Sequence, residues 1–195
     1  LNDNQVYQIG IAGLLHDIGK SKIPNEILNK AGKLTDDEFT IMKMHSTYGY
    51  HILEPKKDIS QEVKLGVLQH HEKMNGKGYP MQVTGEKIHL FSRIISVADI
   101  YDALVTERPY KKPFSPRAAV EMIMSMTEEL DIKVMKCFME SVILYPVGSD
   151  VMLHCVFHQR LQNQPGHQQR QDGFIDILMH PEALAQPFPD DVQVR

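Results

Sequence analysis

The residues best equipped for chemistry in this chain are His16 and Asp17, within the run Leu14-Leu15-His16-Asp17-Ile18-Gly19-Lys20. An imidazole and a carboxylate stand side by side there in an otherwise apolar segment. Burying a carboxylate among leucine and isoleucine side chains is unfavourable unless a cation or a hydrogen-bond donor compensates its charge. A bound metal ion compensates it most simply, so the pair indicates a metal site.

The same kind of polar residue in an apolar stretch recurs downstream at His45, at His70-His71 and at Asp99. Each has an ordinary alternative when it is taken alone. The first could be a polar residue at a helix edge, the doublet could be solvated, and the carboxylate could be satisfied within its own helix. The four segments together instead predict one shared site that holds more than one metal ion.

The predicted donor set favours iron or manganese over a single zinc ion. First-row divalent metals of higher coordination accept imidazole nitrogen and carboxylate oxygen together. The candidate ligands are His16, Asp17, His45, His70, His71 and Asp99. They are too many for one tetrahedral zinc, whereas a carboxylate such as Asp17 can bridge two ions. Because two such ions can activate water and clamp the attacking and leaving oxygens at phosphorus, phosphodiester hydrolysis is the predicted reaction.

Three cations are candidates for holding phosphate oxygens. Lys20 follows the His-Asp pair by one turn and could steady a phosphate oxygen, although a lysine there could also simply complement a helix dipole. Arg108, with a planar guanidinium, and Lys111, with an ammonium point charge, could hold a second phosphate. Alternatively, both are ordinary cations that face solvent. His51 and His89 fit no part of the set and are predicted to be surface residues.

Apolar residues recur at helical spacing over most of the chain, which predicts an all-α fold. The first helix is predicted to end near Gly19, with the His-Asp pair in its last turn. A capping box, Thr35-Asp36-Asp37-Glu38, begins a second helix that ends before Pro55. The closely spaced glycines and proline of Gly76-Lys77-Gly78-Tyr79-Pro80 predict a loop. Further helices are predicted over 61–72, over 91–102, from Ser115-Pro116 and over 131–144.

We predict one helical domain over 1–149. The tail over 150–195 has a different composition, and we assign no chemistry to it. A chain of 195 residues can bury roughly 70% of its unfolded surface in one core. Its net charge of -4 disfavours long nucleic acids as partners. Cys137 and Cys155 lack C-x-x-C spacing, which is typical of a reducing compartment and predicts the cytoplasm. No apolar run reaches the ~18 residues of a membrane span.

Six segments in order along the chain closely resemble the HD-GYP family, a branch of the HD phosphohydrolases. They are His16-Asp17-Ile18-Gly19-Lys20, His45 with Gly49, His70-His71-Glu72, Asn75-Gly76-Lys77-Gly78-Tyr79-Pro80, Val97-Ala98-Asp99-Ile100-Tyr101-Asp102-Ala103 and Arg108-Pro109-Tyr110-Lys111. The similarity continues to Tyr145-Pro146-Val147-Gly148 and covers about three quarters of the chain.

The resemblance implies a helical bundle with a di- or trinuclear iron-type centre in its core. It implies hydrolysis of cyclic di-GMP to linear pGpG or GMP, with the six candidate ligands in that role. Asp17 and Lys20 would be catalytic, and the implied substrate contacts are Lys20, Tyr79, Asp102, Arg108 and Lys111. Tyr79 would stand at the lip of the site. Its Gly-Tyr-Pro loop would also meet partner proteins, such as diguanylate cyclase (GGDEF) domains.

One departure from the family leaves an alternative open. The family places a further helix, with a His ligand and often a Glu, before the region in which this chain begins. Only fifteen residues precede His16, and the first residue is Leu, so we expect a piece of a longer protein. The rival hypothesis is therefore a receptor or adaptor that binds cyclic di-GMP or a diguanylate cyclase without turnover. A mixed cyclic GMP-AMP substrate, the native metal, the number of ions and homodimerisation also stay open.

Overall fold

The computed structural model describes residues 1–107 and 112–144, and these form an all-α domain, as predicted. No β-strand occurs within the described ranges. The α-helices are α1 (Asp3–Leu15), α2 (Asn25–Leu28), α3 (Asp36–Lys43), α4 (His45–Leu53), α5 (Gln61–Gln69), α6 (Leu90–Val105), α7 (Pro116–Ser125) and α8 (Ile132–Ser141), with 3-10 turns at Ile18–Lys22 and Gly85–Lys87.

The first helix ends earlier than predicted. Helix α1 begins at a capping box in which the Asn2 side chain accepts from the Gln5 N–H at 2.9 Å, and it stops at Leu15. His16 is its C-cap, and Asp17 is the cap of the 3-10 helix that follows. Because the backbone changes from α to 3-10 geometry between them, the two neighbouring side chains leave a turn rather than a continuous helix.

The predicted helix over 35–54 is two helices that meet at Met44. Its capping box is confirmed, since the Glu38 carboxylate accepts from the Thr35 N–H at 2.7 Å and the Thr35 hydroxyl accepts from the Glu38 N–H at 3.3 Å. The break has a local cause. The His45 ring bonds to the Met42 carbonyl oxygen at 2.8 Å, while the Met44 N–H turns back to the Ile41 oxygen at 3.1 Å. Helix α3 therefore ends at Lys43, and α4 begins at His45.

The core that carries the site is formed where α1, α5 and α6 pack together. Ala12, Val63 and Ile95 form one buried cluster, and Gly66 lets the helices approach. A Cβ at Gly66 would lie 3.0 Å from the Ala12 Cβ and 3.3 Å from the Ile95 Cδ1. This packing brings the C-terminal ends of α1 and α5 beside the middle of α6.

Two glycines bring α4 against the 3-10 helix that follows Asp17. A Cβ at Gly19 would collide with the His45 carbonyl oxygen and lie 2.5 Å from the Gly49 nitrogen. A Cβ at Gly49 would in turn lie 2.7 Å from the Val67 Cγ1. Since real Cβ atoms do not approach so closely, the backbone contact with α4 requires glycine at Gly19, and it sets Asp17 next to His45; Gly49 makes room for the Val67 side chain of α5.

The later predictions agree with the structure except at helix ends. The helix predicted over 61–72 ends at Gln69, and the Gly-Tyr-Pro segment is a loop. Ser115 and Asp131 are the N-caps of α7 and α8. None of the helices in the described ranges combines the length and apolarity that a membrane-spanning segment needs. The tail over 150–195, with its boundary near 149, and the residues Arg108 and Lys111 lie outside the described residues.

Candidate metal centre

Six side chains predicted to be ligands lie together where the helix ends meet. His16 and Asp17 come from the end of α1, His45 from the first position of α4, and His70 and His71 from the end of α5, while Asp99 lies within α6. The bundle thus assembles donors from four segments that are distant in sequence. Their placement agrees with the predicted cluster; their role as ligands stays a prediction.

The polar atoms of this cluster are close to one another. The Nε2 atoms of His45 and His70 are 3.3 Å apart, and His45 Nε2 is 3.5 Å from Asp17 Oδ1. His16 Nε2 is 3.3 Å from Asp17 Oδ2 and 3.8 Å from Asp99 Oδ1. His71 completes the group, because one ring nitrogen from each of His45, His70 and His71 falls within 4.8 Å of the others.

Three of the histidines are oriented in the same way by backbone carbonyl groups. The Nδ1 atom of His16 lies 2.6 Å from the Gly13 oxygen, that of His45 lies 2.8 Å from Met42, and that of His70 lies 2.8 Å from Val67. Each acceptor is three residues earlier in the chain. The last carbonyl groups of a helix have no intrahelical partner, so a histidine at a helix end can use one of them. Such a bond aims Nε2 away from its own helix.

This orientation fixes where the protons of His45 and His70 lie. A carbonyl oxygen only accepts, so Nδ1 carries the hydrogen in each neutral ring and Nε2 carries a lone pair. Burial lowers the pKa of His45, and burial together with the neighbouring His45 lowers the pKa of His70 to about 3. Two lone pairs therefore face each other at 3.3 Å. The other neighbour, the Ser46 hydroxyl, is 3.5 Å from His45 Nε2, at the limit of a hydrogen bond.

Asp17 provides the negative charge that faces these lone pairs. Lys20 Nζ donates to its Oδ2 at 2.7 Å, but its Oδ1 is buried and has no hydrogen-bond partner. Burial alone would raise the pKa of Asp17, yet the hydrogen bond with His16 and the Lys20 ammonium hold that pKa well below its ordinary value. A buried, ionised and unpartnered carboxylate oxygen beside imidazole lone pairs fits a divalent cation, because one cation can bind all of these atoms at once.

The cluster is deepest at His45 and His70 and most open at Asp17. His45 and His70 are at most 1% exposed. The side chains of His16 and Asp17 are 24% and 34% exposed, and that of Asp99 is 14% exposed. A ligand from solution therefore reaches the site from the side of His16 and Asp17.

Comparison with known proteins identifies the family. Residues 1–134 match the sequence profile of the HD domain family. The chain belongs to the HD domain family. It is 41% identical over 153 residues, or 78% of its length, to a cyclic di-GMP phosphodiesterase of Pseudomonas aeruginosa. It is 44% identical over 62% of its length to a cyclic di-GMP phosphodiesterase response regulator of Xanthomonas campestris pv. campestris. These relatives confirm the HD-GYP resemblance.

A further relative carries a different substrate in its name. The HD domain described here is 40% identical over 64% of its length to a 3'3'-cGAMP-specific phosphodiesterase of Vibrio cholerae. The chain spans only 37% of the Pseudomonas protein, 32% of the Xanthomonas protein and 24% of the Vibrio protein.

Tyr79 lies against the imidazole cluster of this HD domain; its role at the lip of the site stays a prediction. Its ring stacks on that of His71, with 4.8 Å between centroids and 30° between planes. Burial, together with the carboxylates of Asp99 and Asp17, raises the pKa of Tyr79, so the phenol keeps its proton. Tyr79 can therefore offer a hydrogen-bond donor and an aromatic face at the site.

Other predicted residues of the HD domain make contacts with residues outside the six donors. Asp102 is exposed, and its Oδ1 accepts from the Thr106 hydroxyl at 3.1 Å. His51 is exposed, as predicted. His89 is partly exposed, and its ring caps α6 by accepting from the Phe91 N–H at 3.3 Å.

Glu72 was not predicted to belong to the site, although it follows the two histidines directly. Its side chain is buried, and its carboxylate binds three backbone N–H groups of the loop that carries Tyr79. Its position in the sequence could have indicated this role. An acidic residue that follows a helix end and precedes a glycine-rich loop can accept hydrogen bonds from the backbone N–H groups of that loop.

Proposed function

We propose that this HD domain is the catalytic domain of a metal-dependent phosphodiesterase that hydrolyses cyclic di-GMP to linear pGpG or GMP. The similar proteins of Pseudomonas and Xanthomonas carry that activity in their names. Cyclic di-GMP contains two phosphodiester groups, each with one negative charge. A site that combines metal-binding side chains with a lysine suits such a substrate.

The single observation that supports the proposal most strongly is the set of unpaired donors at the centre of the site. The Nε2 lone pairs of His45 and His70 face each other beside the unpartnered Oδ1 of Asp17. We propose that these three, with His16, His71 and Asp99, hold two or three divalent ions of iron or manganese. When bound, such ions would supply Lewis-acid stabilisation of charge on phosphate oxygens and lower the pKa of a water molecule.

Asp17 and Lys20 are the proposed catalytic pair of the chain itself. The exposed side of Asp17 places its carboxylate where a ligand enters, while Lys20 Nζ, 2.7 Å from Oδ2, fixes that carboxylate. An ammonium group has three donors, so Lys20 can hold Asp17 with one and a non-bridging phosphate oxygen with another. This arrangement neutralises charge at phosphorus without requiring a side-chain nucleophile.

We propose that substrate specificity comes from residues outside the set of metal-binding side chains. Tyr79 offers an aromatic face and a hydroxyl, and Arg108, Lys111 and Asp102 are proposed contacts for the second phosphate and the bases. We prefer cyclic di-GMP to a mixed cyclic GMP-AMP because more of the similar proteins carry it in their names. We further propose a cytoplasmic location and a GGDEF-domain partner for the Gly-Tyr-Pro loop, and we leave homodimerisation open.

The test is hydrolysis by the full-length protein loaded with Fe(II) under anaerobic conditions or with Mn(II). Cyclic di-GMP and 3'3'-cGAMP are supplied separately, and products are separated by chromatography. We expect pGpG or GMP from cyclic di-GMP at the higher kcat/KM. The variant His70→Ala should lose both bound metal and hydrolysis, whereas the matched variant of an exposed histidine, His51→Ala, should keep both.

Two outcomes would contradict the proposal. Absence of turnover of either cyclic dinucleotide by the metal-loaded protein would remove the enzyme function. Calorimetric binding of intact cyclic di-GMP without product over hours would instead support the receptor or adaptor. A preference for 3'3'-cGAMP would keep the reaction and change the substrate.

A further inference from the structure

The loop between α5 and α6 is fastened by a buried carboxylate that the proposed mechanism does not use. Glu72 is 3% exposed. Its Oε1 accepts from the Met81 N–H at 2.6 Å and from the Gln82 N–H at 3.0 Å, and its Oε2 accepts from the Val83 N–H at 3.2 Å. Hydrogen bonds to an ionised acceptor are stronger than neutral ones, so three of them hold this stretch of backbone firmly.

The fastened stretch begins two residues after Tyr79. The Tyr79 N–H donates to the His71 carbonyl oxygen at 3.1 Å, and the Tyr79 ring stacks on the His71 ring. The chain thus leaves a proposed metal ligand, turns through the glycine-rich segment and returns to cover that same ligand. Since residues 81–83 are held by Glu72, the chain on the far side of Tyr79 cannot move away without breaking those bonds.

Two further contacts restrict the same loop. A Cβ at Gly78 would collide with the Lys73 backbone nitrogen, so the turn before Tyr79 is tightly closed. At the far end, the buried side chain of Gln69 accepts from the His89 N–H at 2.9 Å through Oε1. Both ends of the loop are therefore attached to the end of α5, and Glu72 holds the part nearest to Tyr79.

We propose that Glu72 is a positioning residue, which holds Tyr79 against His71 and so shapes the lip that receives the cyclic dinucleotide. The proposal rests on the proposed function. All three of its hydrogen bonds go to loop amides, and none of the six predicted ligands is among these partners. Glu72 therefore acts on substrate through the loop and Tyr79, and leaves the metal-binding side chains as they are.

The decisive variant is Glu72→Gln, which keeps the size of the side chain. Its amide oxygen can still accept from Met81 and Gln82, but its NH2 group would face the Val83 N–H, donor against donor. We expect KM for cyclic di-GMP to rise about tenfold, the effect of losing one charge-assisted hydrogen bond, with kcat unchanged. Metal content, measured by elemental analysis, should equal that of the wild type. A fall in kcat or in metal content with unchanged KM would overturn the proposal.

A double-mutant cycle separates positioning from general stabilisation. If Glu72 acts through Tyr79, then Glu72→Gln should raise KM no further in a Tyr79→Ala background. Additive effects would overturn the proposal. Glu129→Gln is the matched control, because Glu129 makes a 2.7 Å ion pair with Lys73 at the outer side of the same loop, and it should leave KM at the wild-type value.

Amide hydrogen exchange tests the contact without any substrate. We expect the amides of Tyr79 and of residues 81–83 to exchange faster in Glu72→Gln, with α5 and α6 protected as in the wild type. Unchanged exchange of these loop amides, or acceleration throughout both helices, would overturn the proposal. If the wild-type protein hydrolyses no cyclic dinucleotide, the proposed function fails, and exchange in the Mn(II)-loaded protein decides the positioning role by itself. If Glu72→Gln does not fold, Glu72→Asp, which keeps the charge at a shorter reach, replaces it in every comparison.

Discussion

His45 and His70 present their Nε2 atoms to each other at 3.3 Å, while the Nδ1 of each ring is bound to a backbone carbonyl group of its own segment. Neither ring can donate to the other in that arrangement. A cation between or beside the lone pairs would make the contact favourable. If the proposed ions bind there, the stability of the domain should depend on them.

Removal of metal should lower the stability of the wild-type protein. Because ligand that binds only the folded state stabilises it, Mn(II) at about 100 times its dissociation constant should add about 2.7 kcal/mol to the free energy of unfolding. Chelator should reverse the effect, as measured by urea unfolding. In His45→Ala the difference between Mn(II) and chelator should disappear, whereas His51→Ala should show the full difference. An equal metal effect in both variants would contradict the prediction.

Substitution of Gly19 should disturb the site without touching a ligand. In Gly19→Ala the new Cβ would meet the His45 carbonyl oxygen, so backbone must move and stability should fall by about 1–3 kcal/mol. Mn(II) affinity should fall as well, because Asp17 and His45 are held together by that contact. Gly10→Ala is the control: its Cβ would meet nothing within 4 Å in α1, and it should stabilise by about 0.5–1 kcal/mol. Urea unfolding and metal titration measure both quantities.

Loss of the Lys20 ammonium should reduce the rate of hydrolysis more than substrate binding. Lys20→Gln removes the charge beside Asp17, and deletion of one such electrostatic group typically lowers kcat by about 10²–10³-fold. The neighbouring exposed lysine offers a matched variant, Lys22→Gln, which should retain the wild-type kcat. Steady-state kinetics with cyclic di-GMP give the comparison, and a lowered kcat in both variants would argue against a specific role for Lys20.

Asp131 should make the free energy of unfolding depend on pH. It caps α8 by accepting from the Lys133 and Val134 N–H groups, and its Oδ2 binds Arg93 at 2.7 Å. Burial raises the pKa of Asp131, but the two amide bonds and Arg93 outweigh it, so that the net pKa is lowered. Because the pKa of Asp131 is lower in the folded state, the ionised side chain contributes to the free energy of unfolding above the unfolded-state pKa of about 3.9. That contribution is lost as the pH falls through the folded-state pKa.

The corresponding variant is Asp131→Asn, which should lose about 1–3 kcal/mol at pH 7, since a cap and a buried ion pair are weakened together. The difference from wild type should shrink as pH falls below about 4. Glu121→Gln, which breaks the exposed pair with Arg117, should stay within about 0.5 kcal/mol at every pH. Urea unfolding at a series of pH values measures both, and a constant difference across that series would contradict the assignment.

The helices and the membership of the cluster could be predicted because both leave local signals in the sequence. The capping box at Thr35 marks a helix start by itself, and a carboxylate among apolar residues, as at Asp17, marks a site that must compensate its charge. Position in sequence could not show that His16, His45 and His70 share one orientation. That property depends on where each helix ends, which periodicity locates only within a few residues.

The break at Met44 and the role of Glu72 escaped prediction for a different reason. An unbroken apolar stripe from Phe39 to Leu53 is compatible with one helix, and only the His45 ring, which takes a backbone carbonyl oxygen, decides otherwise. The partners of Glu72 lie nine to eleven residues away across an irregular loop. No periodic pattern reports contacts within such a loop.

The carbonyl contacts tie each of the three imidazoles to the backbone three residues before it, which for His45 is the end of α3. When that short stretch of backbone moves, its imidazole moves with it and keeps its orientation. If these rings bind the proposed ions, ions of different radius would be accommodated by small displacements of backbone instead of by rotation of side chains. Because the carbonyl contacts are local, they already restrict the rotamers of these rings, so that less conformational entropy would remain to be lost on binding.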